Sequence, residues 1–265
     1  MKLIDFYEIA NGFAPKSLSD EYCAKYGAYD NSGVLVNTGD EIKGVLFTLD
    51  LSKKAIEKAK EVGANLIVTH HPAIYGKIGD VKADNALGGK LVDCIKNGIS
   101  VISMHLNLDC AVDGIDESLA KAVLNATGTT ESETVVNHEL SMGGYGRAYS
   151  VSSLTAKELA KKLSLELSSE KVLVYNGEKK VTRVASFCGA GGDDGGLAFA
   201  LKSGADAMIS SDFRHHIIAM AVEMGLAVVV LTHYASENYG FKKYYEKFIG
   251  QIGVPCNFYT DEELL

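Results

Sequence analysis

A chain of 265 residues with formal net charge −8, 47% hydrophobic and 23% charged, has an ordinary globular balance and room for one large domain or two modest ones. The negative charge disfavours DNA, RNA and anionic membranes as partners. No apolar run reaches the roughly 20 residues that span a bilayer. Five scattered cysteines without a CxxC read as reduced thiols. The opening Met1-Lys2-Leu3-Ile4-Asp5 meets an acid at once and does not read as a signal peptide. A cytoplasmic location is the expectation.

In chain order, Val45 to Leu49 reads as a strand. Ser52 is placed to cap the helix that follows, with Ala55, Ile56, Ala59 and Val62 as its buried stripe and Gly63 at its end. The apolar run Asn65 to Thr69 predicts the next strand and completes a βαβ unit. Ala86 to Asn97 predicts a helix closed by Gly98, Ser100 to Met104 a strand, and Asp116 to Ala126 a third helix. Thr129 to Thr134 is polar and turn-like and marks a candidate boundary. Beyond it, 145–151, 171–175 and 181–187 read as strands, with a Thr155-capped helix running to Leu165. A helix near Leu197, a strand at Ala207 to Ser210 and a helix at His215 to Met224 follow. The chain closes with a strand at Ala227 to Thr232, a helix at Phe241 to Ile249 and a strand near Cys256 to Tyr259. The expected fold is α/β, with strands and helices layered in two units. Residues 1–127 plus 223–265 form a metal-binding unit and residues 128–222 a second one.

Three strings carry the chemistry: Thr69-His70-His71-Pro72, His105-Leu106-Asn107-Leu108-Asp109 and His233-Tyr234-Ala235-Ser236-Glu237. Four of the seven histidines lie in them. Each follows a short, largely β-branched run of the kind found in parallel sheets, and ligands in such sheets bind beyond the carboxyl ends of the strands. Nitrogen and hard oxygen donors without a thiolate suit a transition-metal site for chemistry better than a structural zinc knot. Adjacent strand residues face opposite ways, so His70 and His71 share a site only if the strand has ended. Pro72, without an amide to donate, favours that. The spacing from His105 to Asp109 and from His233 to Glu237 puts donor pairs on one face where the chain turns helically. The competing reading of each pair is a hydrogen bond without metal.

Five donors (His70, His71, Asp109, His233 and Glu237) exceed the three protein ligands of one catalytic zinc and suit two divalent ions bridged by carboxylate. His105 is left to ligate, to orient a ligand or to move protons near neutral pH. The segment Gly189 to Gly196 is neither GxGxxG nor a Walker loop, and the favoured reading is a tight turn packing a helix on a sheet. His215 and His216 follow Asp212. They read as histidines at a helix start capped by Asp212, or as substrate contacts.

These motifs resemble the Nif-three-like proteins, a family also known as the GTP cyclohydrolase 1 type 2 homologues, over nearly the whole length. The resemblance rests on Tyr29-Asp30-Asn31-Ser32-Gly33-Val34, with Tyr29 where the family has Trp, on Leu49-Asp50, and on the three strings above. Gly146-Arg147, the glycines near Gly191, Asp206, and Asp212 with His215 and His216 extend it. It implies that His70, His71, Asp109, His233 and Glu237 hold two divalent metal ions, Zn, Fe, Mn, Co and Ni being undistinguished, with His105 close by; from its position, His105 is the candidate for proton transfer. It implies a two-part α/β fold in the short form, without the domain that longer relatives insert, and a homohexamer. The family name implies metal-dependent hydrolysis of a nucleotide C–N bond, with water attacking the guanine imidazole ring of GTP. The alternative is a non-catalytic metal-handling or regulatory module that binds partner proteins.

Overall fold

A computed structural model describes residues 1–265. In chain order the elements begin α1 (Leu3–Phe13), α2 (Lys16–Tyr26), β1 (Gly33–Val36), β2 (Val45–Thr48), α3 (Lys53–Glu61), β3 (Leu66–Thr69), α4 (Ala86–Lys96), β4 (Ser100–Ser103) and α5 (Leu106–Cys110). Then come α6 (Ile115–Thr127), β5 (Thr134–Glu139), β6 (Gly144–Thr155), α7 (Ala156–Glu166), β7 (Leu173–Tyr175), β8 (Lys180–Ser186), α8 (Asp194–Lys202) and β9 (Ala207–Ser210). The chain ends with α9 (His215–Glu223), β10 (Ala227–Val230), α10 (His233–Glu246) and β11 (Cys256–Tyr259). It divides into two compact units, Met1–Ala111 with Phe241–Thr260 and Val112–Gly240 with Asp261–Leu265. No helix is long and apolar enough to cross a membrane.

The first unit is built on a five-stranded sheet in the order β1-β4-β3-β2-β11. All neighbours are parallel except β1, which runs antiparallel to β4. Strands β2, β3 and β4 are buried along their whole length, which is why they read as continuous apolar runs. Alternation sends Leu46 and Phe47 to opposite faces. Leu46 joins Ile56, Ala59, Ile67, Leu91 and Val101 under α3 and α4. Phe47 packs among Phe6, Phe241 and Phe248, with ring centroids 5.1 Å from Phe248 and 6.2 Å from Phe241. The Ser52 hydroxyl caps α3 by accepting from Ala55 N at 3.0 Å, as its position predicted.

The second unit carries a six-stranded sheet in the order β5-β6-β8-β9-β10-β7. Strands β8, β9 and β10 are parallel, while β5, β6 and β7 pair antiparallel. Its core joins Ala148, Phe187, Leu197, Met208, Ile217 and Val228. Thr155 and Glu158 form a reciprocal capping box at the start of α7.

The compact units differ from the sequence expectation of 1–127 plus 223–265 and 128–222. Strand β10 has backbone donors and acceptors on both edges, and they pair with β9 and β7, so residues 223–240 go with the second sheet. Helix α6 goes there too, because Asp116 accepts from Gly146 N and Cys188 N. The polar stretch after Gly128 leads directly into β5. The last long helix begins at His233 and not at Phe241.

Candidate metal centre

Strand β3 ends at Thr69, and the chain bends so that His70 N and His71 N both donate to Leu49 O, at 3.1 and 3.0 Å. The Thr69 hydroxyl donates to His71 O at 2.8 Å and holds the bend. The strand has therefore ended before the two histidines, as their convergence required, and their ring centroids stand 4.9 Å apart. At the end of β4, His105 starts the single turn of α5. That turn brings Asp109 back over it, with Asp109 N donating to His105 O at 2.9 Å. The His105 ring lies 5.2 Å from that of His70 and 6.0 Å from that of His71. Ligand atoms of His70, His105 and Asp109 all fall within 4.8 Å of one another, a grouping that could hold a metal ion. His70, His71, His105 and Asp109 thus come together in the first unit.

The ring nitrogens are assigned by their neighbours. His70 Nδ1 lies 2.8 Å from Met104 O. A carbonyl only accepts, so Nδ1 donates and Nε2 carries the lone pair. That Nε2 lies 3.4 Å from Asp109 Oδ1, with side-chain exposures of 0% and 7%. Two acceptors so close in a buried place require a proton or a cation between them. His71 Nδ1 donates to Asp50 Oδ1 and His105 Nδ1 to Asp30 Oδ1, both at 2.7 Å. Burial of Asp30 opposes its ionisation. Hydrogen bonds from His105, Ser19 and Ser32 outweigh it and hold the carboxyl well below the usual carboxylate range. Tyr75 stands edge-on to the His105 ring with centroids 6.0 Å apart.

In the second unit, α10 begins at His233 just beyond β10, so His233 and Glu237 are one turn apart on one face. His233 Nε2 lies 3.1 Å from Glu237 Oε1, and Nδ1 donates to Asp212 Oδ2 at 2.6 Å. Asp212 follows β9 in the left-handed conformation, φ +52°, which aspartate adopts more readily than most non-glycine residues. This corrects the expectation that Asp212 caps the helix at His215: α9 has no side-chain cap, and His215 and His216 are exposed on its first turn. The buried Cys188, just past β8, has its thiol within 4.8 Å of a Glu237 carboxylate oxygen. Sequence reasoning set the thiols aside, yet Cys188 sits at a strand's carboxyl end as the histidine strings do.

The favoured reading of the glycine segment holds. A Cβ on Gly191 or Gly192 would strike Phe187 or Phe213, and one on Gly196 would strike Gly191 O. Asp193 caps α8 by accepting from Gly196 N at 2.8 Å. Sequence reasoning missed the aspartates that orient the histidines: Asp30 and Asp50 had no role in it beyond the family resemblance, and Asp212 was read as a helix cap.

The donor set fits a divalent transition-metal ion, since imidazole nitrogens are fixed in one tautomer beside buried carboxylates. The family model for Duf34/NIF3 (NGG1p interacting factor 3) matches residues 1–261. The chain belongs to this family. A Clostridium perfringens protein named GTP cyclohydrolase 1 type 2 homolog is 30% identical over 267 residues, 99% of this chain and 97% of the relative. One of the same name from Methanocaldococcus jannaschii is 30% identical over 252 residues, 93% and 94% of the two chains. Among solved structures, a Staphylococcus aureus hypothetical protein superposes with TM-score 0.83 at 24% identity, covering 99% of this chain and 97% of its own. Reduced HcgD from Methanocaldococcus jannaschii gives 0.79 at 26%, covering 97% of each. The mixed α/β architecture is that of the family.

Proposed function

We propose that this member of the family is a metal-dependent hydrolase holding two divalent ions through His70, His71, Asp109, His233 and Glu237. One observation carries the reading. All four histidines of the three strings commit Nδ1 to an oxygen acceptor, namely Met104 O, Asp50, Asp30 and Asp212. Each is thereby left with Nε2 as the donor nitrogen, the arrangement by which proteins orient metal-ligating histidines. Asp109 and Glu237 are both buried and add the oxygen donors. Five donors are more than one catalytic ion needs.

When bound, the ions supply the Lewis acidity that makes water nucleophilic near neutral pH and polarises the scissile group. The chain's own residues do the rest. Asp50 and Asp212 fix the planes of the His71 and His233 rings. His105, partly exposed, takes a proton at Nε2 while Asp30, held ionised, stabilises the imidazolium that results. Zn, Fe, Mn, Co and Ni all suit this donor set. The relatives' name, GTP cyclohydrolase 1 type 2 homolog, makes hydrolysis of a nucleotide C–N bond, GTP first, the leading reaction class. A cytoplasmic homohexamer is part of the same proposal.

The test is elemental analysis of metal-reconstituted protein, followed by turnover of GTP, other nucleotides and phosphoesters. Two ions per chain and metal-dependent turnover are expected. One ion or none refutes the dinuclear reading. The family's description as an interacting factor favours one second reading, a metal-bearing regulatory module. Full metal loading, no turnover of any of these substrates and tight binding to a protein partner would select it.

A further inference from the structure

Gly189 differs from the packing glycines that follow it. A Cβ there would fall 2.3 Å from Glu237 Oε1 and 3.3 Å from His233 Nε2, and its backbone is left-handed at φ +54°. The bare Cα is thus in direct contact with the carboxylate of α10. The peptides on either side of it are gripped from several directions. Cys188 N donates to Asp116 Oδ1 at 3.1 Å, and Cys188 O accepts from the Tyr145 hydroxyl at 2.6 Å. Gly189 O accepts from Ser210 Oγ at 3.1 Å, Ser211 N at 3.2 Å and Ser211 Oγ at 2.5 Å. Gly189 N donates to Ser236 Oγ at 2.9 Å, and that same hydroxyl donates to His233 O at 2.8 Å. One serine side chain, adjacent to Glu237, therefore ties this peptide to the turn of α10 that bears both donors.

We propose that Gly189 is a positioning residue for the His233–Glu237 pair: its side-chain-free backbone is a fixed wall that sets the Glu237 carboxylate against His233 Nε2, with Ser236 locking the wall to the helix. The inference rests on the metal-binding reading of His233 and Glu237. A methyl group at 189 would have to push Glu237 Oε1 away by about 1 Å to restore ordinary contact, and sites tolerate little more than ~0.5 Å of misplacement. The acid cannot retreat freely, because Glu237 is buried.

The test is a cobalt(II) titration of metal-stripped full-length protein, read by calorimetry and by the visible ligand-field spectrum. Gly189→Ala should lower affinity about 10- to 100-fold, the range seen when the support of a metal ligand is removed, and should alter the spectrum. Gly204→Ala and Gly225→Ala are the controls. Both positions are left-handed, at φ +68° and +82°, with nothing within 4 Å of an added Cβ. They carry the same kind of backbone cost and should titrate as wild type. Ser236→Ala removes the tie without adding bulk. It should weaken binding several-fold and keeps the question open to test should Gly189→Ala fold poorly. Glu237→Asp, shorter by one methylene, should be less harmful in the Gly189→Ala background than alone, a coupling that independent sites do not show. Affinity and spectrum in Gly189→Ala and Ser236→Ala equal to those of the controls, or strictly additive losses, would overturn the proposal. Failure of wild type itself to take up cobalt would instead overturn the metal reading, and this inference with it.

Discussion

Replacing Asp116 by asparagine should unfold the second unit at markedly lower denaturant. Asp116 is completely buried, and Arg147 is 4% exposed. One carboxylate oxygen accepts from Gly146 N at 2.9 Å and from the Arg147 guanidinium, and the other accepts from Cys188 N at 3.1 Å. Each of these three partners is a donor. An asparagine turned either way points its NH2 at one of them and leaves the guanidinium without its closer charge partner. Glu117 also pairs with Arg147, but at 3.7 Å and with its side chain 26% exposed it is the weaker partner. Breaking a buried pair from one side costs about 3–5 kcal/mol, which lowers the Tm by roughly 10 °C in a chain of this size. Urea titration followed by circular dichroism measures the loss. Adding Arg147→Met removes the stranded charge while the asparagine oxygen still serves one amide, so the double variant should recover at least about 1 kcal/mol of it. A loss below about 1 kcal/mol in Asp116→Asn, or a double variant no more stable than the single, would show that the pair does not act as described.

The aspartates behind the histidines should matter almost as much as the ligands. Asp30→Asn, Asp50→Asn and Asp212→Asn are each expected to lower metal affinity 10- to 100-fold, roughly, by calorimetric titration; unchanged affinity in all three would remove the main support for the site. His105→Ala should lower turnover far more than metal content if the imidazole moves protons, whereas parallel loss of both, by elemental analysis and rate on the same samples, would make it a ligand. Asp206 has a folded pKa below its ordinary value: burial opposes ionisation, but donation from Thr182 N, Thr182 Oγ1 and Arg183 N prevails. Its contribution is therefore complete above the unfolded value of ~4 and is lost as pH falls below it through the folded one. Asp206→Asn should be less stable than wild type at neutral pH, and the gap should close in acid; a gap that stays constant with pH would contradict this.

Much of the fold could be read because its strands are buried on both faces. Leu66 to Thr69, Ala207 to Ser210 and Ala227 to Val230 are continuous apolar runs, and the caps at Ser52 and Thr155 are local signals. Helix α2 escaped notice because it buries only Leu18 and Ser19 and so has little stripe to detect. Strands β1 and β5 lie at sheet edges and expose part of their length, which blurs the pattern. The strand at Ala227 was evident as a strand, but nothing local says which sheet it enters. That is decided by hydrogen bonds to β9 and to β7, the latter some fifty residues away in the chain.

The same division between local and distant information runs through the site. The histidine strings were legible because each follows a parallel strand, where open α/β sheets place their ligands, and because α5 and α10 turn His105 toward Asp109 and His233 toward Glu237. Their orienting partners were not legible. Asp30 reaches His105 from 75 positions away, Asp50 reaches His71 from 21, and Asp212 reaches His233 from 21. A histidine at a strand end can as well be a buried hydrogen-bonded group as a ligand, and its sequence neighbours do not distinguish the two. The distinction lies in which nitrogen is occupied. With Nδ1 held by a carboxylate or a carbonyl, a neutral imidazole has one donor atom left and one direction in which to offer it. All four histidines commit Nδ1 in this way, which leaves Nε2 of His70, His71 and His233 to act as metal donors and Nε2 of His105 to carry the proton, a uniform orientation that a purely packing role does not call for.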